Sequence, residues 1–317
     1  MKKLAFGFAA LLASSAFAQS FPSKPVHIVV AFPPGGGVDI VARLLAPRLA
    51  EAWGQQVIVD NRAGASGTIG TEFAARSAAD GHTLLLGTLG NLAVNQHLYP
   101  KMSVDPLRDF APVTQVVAVH FVMVANPSLP AKSIAELIAL AKSRPGQIYY
   151  SSSGPGGAPH LAAELFKSMA QVNLVHVPYK GSAPSFQDLL GGQVSLTCDS
   201  LVQALPYVRD GRLTALAVLG ATRSPLLPDV PTVGETLPGY ELTNWFGLVA
   251  PAAVPRPAIA RIHADVVKVL KDPAISEKLS GMGASAIGNE PEQFGAAMRA
   301  DSEKWGKLIR EAHIRAE

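Results

Sequence analysis

Short β-branched runs alternating with amphipathic helical stretches constrain this chain more than any other feature. Val26 to Phe32 is short, β-branched and followed by two prolines, as expected of a buried strand. From Asp39 to Trp53, Ile40, Leu44, Leu45, Leu49 and Trp53 recur at helical spacing. Gly54 suits the stop of that helix, and Pro47 is expected to kink it. Gln56 to Asp60 is the next strand, which completes a strand-helix-strand unit. The pattern repeats with a helix over 67–78, a strand over Thr83–Gly87, and strand-like runs at Val113–Val117 and His120–Ala125. Ser133 and Glu136 have capping-box spacing and open another helix, followed by a strand at Gln147–Ser151. Helices at His160–Ala170, Ala183–Leu190 and Ser200–Val208 then alternate with strands at Leu174–Val177, Val194–Cys198 and Leu213–Leu219. Residues 88–112 are less regular, and Pro225–Pro238 reads as surface chain. Phe246–Ala250 is one more strand, and the chain from Pro257 is mostly helical. Such alternation predicts an α/β architecture with mainly parallel strands.

Two glycine-rich turns stand out within this frame. Pro33-Pro34-Gly35-Gly36-Gly37-Val38-Asp39 precedes one helix, and Ser152-Ser153-Gly154-Pro155-Gly156-Gly157-Ala158-Pro159 precedes another. In an open α/β sheet, ligands sit outside the carboxyl ends of the strands, where the following helices aim their N-termini. Each N-terminus offers unpaired N–H groups and a partial positive charge. Glycine lets a ligand come close to that backbone. One such turn is a modest anion site. Two, from two lobes, could close on a carboxylate from both sides.

Lys2 and Lys3, the apolar run Leu4–Ala13 and the small residues of Ala16-Phe17-Ala18 have the order of a secretory signal peptide, with cleavage expected after Ala18. The apolar run is too short to span a bilayer. No cysteine follows it, so a lipid anchor at the mature N-terminus is not expected. The 317 residues favour two domains. Net charge is +3, two units of which belong to Lys2 and Lys3, and no basic block appears, so nucleic acid is not an expected partner. The single cysteine, Cys198, cannot form an internal disulfide.

Other chemistries lack their signatures. Gly64-Ala65-Ser66-Gly67-Thr68-Ile69-Gly70 departs from dinucleotide-loop spacing, and no phosphate-loop or nucleophile-elbow motif occurs. The eight histidines are scattered, so no metal site or cofactor is expected. His160, at a loop-helix junction, is a candidate ligand contact or a helix cap. Asp39 flanks the first loop; its i,i+4 partner Arg43 favours a structural role. Asp199 precedes a helix and suits an N-cap. If its carboxylate reaches a cleft instead, it would favour a ligand amino group and oppose a second carboxylate. Tyr179, Trp245 and Phe246 lie near strand ends and could wall a pocket or pack in the core. A secreted serine hydrolase using Ser66 or Ser153 is the alternative reading, but no positioned base accompanies either serine.

Several segments carry a resemblance that spans essentially the whole mature chain. They are Phe32-Pro33-Pro34-Gly35-Gly36-Gly37-Val38-Asp39 with Ala42-Arg43, Gly54-Gln55-Gln56-Val57, and Asp60-Asn61-Arg62-Ala63-Gly64-Ala65. Asp80-Gly81-His82-Thr83-Leu84, His176-Val177-Pro178-Tyr179-Lys180-Gly181 and Asp188-Leu189-Leu190-Gly191-Gly192-Gln193-Val194 follow in order. Leu227-Pro228-Asp229-Val230-Pro231-Thr232 and Lys304-Trp305 complete the set. Together they resemble the substrate-binding proteins of the tripartite tricarboxylate transporter family, the Bug or TctC-like periplasmic receptors.

The resemblance implies a non-enzymatic receptor of the two-lobed type II periplasmic binding protein fold; the chain is expected to act as a monomer, although its sequence leaves the oligomeric state open. One lobe would hold residues 22–120 and 247–317, the other 121–246, with two crossover strands as hinge. It implies that a small carboxylate is held mainly by loop backbone and bridging waters, without an arginine clamp, and delivered to membrane subunits or reported to a sensor. The matching positions are Gly36, Gly37 and Val38 in one lobe and Ser153, Gly157 and Ala158 in the other. Thr88, Asn91, Ser66, Tyr179, Asp199 and Phe246 would line the rest; Phe32, Asp39 and His160 flank the two loops and join the candidates. Two departures stand out. Val38 replaces a common threonine and removes a hydroxyl donor, and Ala63 replaces a common proline. Membership leaves the choice open among di- and tricarboxylates, amino acids, aromatic acids and vitamins.

Overall fold

A computed structural model describes residues 21–99, 101–311 and 314; the expected signal peptide and its cleavage after Ala18 lie outside the described residues. The strands form two sheets. The first has the order β11-β4-β10-β3-β1-β2: β1 Val26–Val30, β2 Val57–Asn61, β3 Thr83–Thr88, β4 Phe110–Val119, β10 Asn244–Pro251 and β11 Ala284–Ala286. The second has the order β7-β6-β8-β5-β9: β5 Phe121–Ala125, β6 Tyr149–Ser152, β7 Val175–Pro178, β8 Leu196–Ser200 and β9 Thr214–Val218. The helices are α1 Gly37–Trp53, α2 Thr68–Ala75, α3 Asn95–Leu98, α4 Pro106–Asp109, α5 Ile134–Ser143, α6 Ala158–Ala170, α7 Ser182–Leu190, α8 Leu201–Arg209, α9 Arg256–Leu270, α10 Pro273–Gly281 and α11 Pro291–Glu311.

Two α/β lobes follow from this order, as expected for the type II periplasmic binding protein fold. The expectation of mainly parallel strands is corrected: both sheets are mixed. β1 pairs in parallel with β2 and β3, and β6 with β7 and β8. β10 runs antiparallel to β3 and β4, and β5 antiparallel to β8 and β9. β11 also runs antiparallel to β4. β5 and β10, each antiparallel to both of its neighbours, stand next to the passages between sheets. β4 gives way to β5 across His120 alone, and the chain returns from β9 to β10 through residues 219–243. A strand entering a sheet from the other lobe is not bound by the helical crossover that makes neighbours parallel.

Several interior strands are almost wholly apolar, as expected of strands covered on both faces. Val26 and Val29 on β1, Leu84 and Leu85 on β3, and all of β5 are buried. α1 accommodates Pro47 inside one continuous helix and ends on Gly54, whose left-handed φ of 63° returns its N–H to Ala50. The irregular stretch after β3 contains a π-helical turn at Gly90–Val94, which leads into α3.

Candidate ligand cleft

The two glycine loops are built alike. Gly35 and Gly156 take left-handed φ values of 84° and 80°, a conformation that glycine adopts without steric cost. Gly36 and Gly157 follow in extended conformation as N-caps of α1 and α6, with φ, ψ of −79°, 164° and −65°, 155°. In each loop the N–H of the left-handed glycine is taken by a side chain four residues on. Asp39 Oδ2 accepts from Gly35 at 2.9 Å, and His160 Nδ1 accepts from Gly156 at 3.1 Å.

These bonds settle where Asp39 and His160 stand. Asp39 also accepts from Arg43 Nε at 2.9 Å and from Asn61 Nδ2 at 2.9 Å. Burial opposes its charge, but the bonds from Arg43, Gly35 and Asn61 hold its pKa below the ordinary carboxylate value. Its carboxylate is occupied within its own lobe. His160 stacks on His176 with centroids 4.3 Å apart, and His176 stacks on Tyr150 at 4.9 Å. His176 Nε2 pairs with Ser152 Oγ at 2.6 Å, and that oxygen accepts the Gly154 N–H at 3.1 Å. Burial holds His160 at a pKa of about 4; burial and His160 beside it hold His176 at about 3. The neutral rings thus shape the second loop from behind. Ser152 is fully buried and faces this stack.

The N-terminal N–H groups of the two helices remain. Neither Gly36 nor Gly157 offers a side-chain cap, and the first intrahelical bonds come only from Ile40 to Gly36 and from Leu161 to Gly157. The N–H groups of Gly37, Val38 and Ala158 are therefore free to face a ligand. α7 and α8 likewise lack a side-chain cap, whereas Asp105, Ser133 and Asp272 cap α4, α5 and α10 elsewhere.

The N-termini of α1, α6, α7 and α8 meet at one narrow cleft. Of the candidates from sequence, Phe32, Gly36, Gly37, Val38, Thr88, Ser153, Gly157, Ala158, Asp199 and Phe246 lie on its wall. Phe121, Pro159, Ser182, Ser200 and Asn244 also line it and were missed. Ser182 and Ser200 stand at strand-to-helix junctions, the same signal that marked the glycine loops. No arginine or lysine is among the lining residues, so positive potential comes from the four helix ends.

The remaining candidates stand behind the wall. Asn91 Oδ1 accepts from Thr88 N at 2.7 Å and Thr88 Oγ1 at 3.0 Å, while its Nδ2 donates to Thr71 Oγ1 at 2.8 Å. Asn91 thus fixes the hydroxyl that Thr88 presents. Tyr99 OH donates to Pro155 O at 2.8 Å, a bond across the lobes, and pairs with the Ser66 hydroxyl at 3.0 Å. Tyr179 OH donates to Asp188 Oδ2 at 2.6 Å; burial and Asp188 push its pKa up to about 12.

Asp199 is the one ionisable lining residue. It is 3% exposed. Oδ1 accepts the Ser200 N–H at 2.7 Å, and Oδ2 has no hydrogen-bond partner among the described residues. Burial raises its pKa to about 6, with Ser182 and Ser200 nearby holding it below what burial alone would give.

Two lobes that face each other across a small cleft, with uncapped helix N-termini on its wall, have the architecture of a solute-binding receptor. Among the described residues no group of three His, Cys, Asp or Glu side chains could hold a metal ion, and no helix is long and apolar enough to cross a membrane. Residues 41–314 match the model of the tripartite tricarboxylate transporter family receptor, and the chain belongs to that family of periplasmic binding proteins, which are not enzymes. It is 37% identical to protein BugT of Bordetella pertussis over 302 residues, 95% of this chain and 93% of that one. Among solved structures, it is similar to R. palustris Rpa4515 with adipate: 38% identity, TM-score 0.91, 93% of this chain and 99% of that one. It is also similar to MatC from Rhodopseudomonas palustris with bound malate: 31% identity, TM-score 0.88, 91% of this chain and all of that one.

Proposed function

We propose that this protein captures a small carboxylate between its lobes and delivers it to the membrane subunits of a tripartite tricarboxylate-type transporter. The observation that carries this reading is the pair of equivalent glycine loops, one from each lobe, whose uncapped N–H groups at Gly37, Val38 and Ala158 face one cleft. Such groups stabilise an anion without a cationic side chain. The ligands bound to Rpa4515 and MatC, adipate and malate, are both carboxylates and support the same class here. In this reading the chain is exported, its signal peptide is cleaved after Ala18, and it works as a monomer. The lobe of residues 22–120 and 247–317 closes against that of 121–246.

A thermal-shift screen over mono-, di- and tricarboxylates, amino acids and aromatic acids tests the proposal. A ligand at 100 times its Kd stabilises the fold by about 2.7 kcal/mol. A reproducible upward shift with at least one carboxylate is expected; none across the panel refutes the reading.

A further inference from the structure

The floor of the cleft has a chemistry unlike its rim. The rim presents N–H donors. The floor lies where the chain passes between sheets: Asp199 is paired with Val122 at the start of β5, and Asn244 with Val119 at the end of β4. Here four buried acceptor-bearing side chains have oxygens without hydrogen-bond partners among the described residues: Asp199 Oδ2, Ser200 Oγ, Gln203 Oε1 and Asn244 Oδ1. Three of them, Asp199, Ser200 and Asn244, line the cleft. The side chains are between 2% and 5% exposed, so bulk water does not solvate them. A buried polar oxygen left unpaired is costly, and native structures rarely tolerate several together. The three on Asp199, Ser200 and Asn244 face one cavity, so a molecule in that cavity can satisfy them.

The charges decide what kind of molecule. Asp199 is the only ionisable group among the lining residues. An anionic group beside it would meet like charge at low dielectric, whereas a cationic donor would meet opposite charge and the free Oδ2. Phe32, Phe121 and Phe246 supply apolar wall, which suits a short carbon skeleton.

We propose that Asp199, with Ser200 and Asn244, forms an acceptor subsite for a cationic nitrogen, so that the ligand is a small ammonium carboxylate rather than a dicarboxylate. This rests on the carboxylate-receptor reading above. The ligand's carboxylate engages the Gly37, Val38 and Ala158 amides, and its ammonium engages Asp199 Oδ2 and the Asn244 carbonyl. The zwitterion thereby leaves neither the helix ends nor the floor oxygens unpaired.

Calorimetric titration of the wild-type protein with three matched series tests this. The series are α- and ω-amino carboxylates of two to six carbons, the dicarboxylates of equal length, and the unsubstituted monocarboxylates. At least one amino carboxylate is expected to bind tenfold or more tightly than both of its length-matched counterparts. Asp199→Asn keeps the oxygen that accepts the Ser200 N–H but replaces the free acceptor with a donor. It is expected to reduce the amino-to-dicarboxylate affinity ratio at least tenfold. A dicarboxylate preference in the wild type overturns the proposal, as does a ratio unchanged in Asp199→Asn. The wild-type series decides even if that variant does not fold. If carboxylates bind without regard to nitrogen, only this subsite fails; if none binds in any series, the receptor reading fails with it.

Discussion

Replacing Gly37 by valine should block closure without harming the fold. Gly37 opens α1 in one lobe, and Ser200 precedes α8 in the other. A Cβ added at Gly37 would lie 2.6 Å from Ser200 Oγ, 3.5 Å from Ser200 Cβ and 3.5 Å from Phe246 Cζ. The φ of Gly37 is not left-handed, so the backbone accepts a side chain. Alanine requires only that the Ser200 hydroxyl turn to another rotamer, a cost of about 0.5–1.5 kcal/mol at most. Valine adds two methyl groups where Ser200 Cβ and Phe246 are already in van der Waals contact, and overpacking of this kind costs about 1–3 kcal/mol. That cost falls on the closed form, where the lobes meet; an opened cleft escapes it. A ligand held only by the closed form should therefore bind roughly 5- to 150-fold more weakly, since each 1.4 kcal/mol is about tenfold. Gly37 keeps its N–H in either variant, so lost donation cannot explain the effect. Titration calorimetry with whichever carboxylate stabilises the wild type gives the affinity, and thermal melting of the ligand-free protein controls for folding. Affinity within twofold of wild type in Gly37→Val would refute closure through this contact. A large fall in ligand-free melting temperature would show that the position serves the fold.

Other consequences follow from the same geometry. Tyr99→Phe removes the hydroxyl that bonds Pro155 O across the lobes; a loss of about 0.5–1.5 kcal/mol should weaken binding two- to tenfold with little change in ligand-free melting. Asp39→Ala strands the Gly35 N–H and takes one of two acceptors from the Asn61 amide; it should lower stability in urea by about 1–3 kcal/mol, whereas Arg43→Ala, on the half-exposed partner, should cost less. His160 and His176 resist protonation until about pH 4 and 3, while their unfolded counterparts protonate near 6.5. Their contribution is therefore complete above pH 6.5 and declines as pH falls, by about 1.4 kcal/mol per imidazole for each pH step. Urea titrations from pH 7 to 4.5 should show that slope, and a His160→Phe variant that melts with the wild-type pH profile would contradict it.

Much of this architecture was legible because burial writes itself into short apolar runs. β1, β3, β5 and β9 lie where β-branched or leucine-rich segments indicate strands, and α1, α6, α7 and α8 follow helical spacing to within about two residues at each end, the usual fraying of boundaries. Strand direction was not legible. β5 and β10 look like any buried strand, and their antiparallel pairing goes with their place next to the passages between sheets. β11, three residues long, is too short for periodicity to reveal. The cleft divides similarly. Gly36, Gly37, Gly157 and Ala158 are visible as turns before helices. Phe121 and Asn244 join the wall only because two crossovers meet there, a long-range fact without a local signature. Sequence also could not show that Asp39 and His160 perform the same task, each holding the N–H four residues back. An acid and an imidazole share no motif, and their equivalence lies in the geometry of the loops.

The most direct test of the carboxylate grip is a titration of the ¹⁵N-labelled protein with a carboxylate that stabilises it, followed by amide chemical shifts. The account predicts the largest downfield proton shifts at Gly37, Val38 and Ala158, one set in each lobe, saturating together at the calorimetric affinity. Shifts confined to one lobe, or centred on the Arg43 guanidinium with those three amides unmoved, would contradict it.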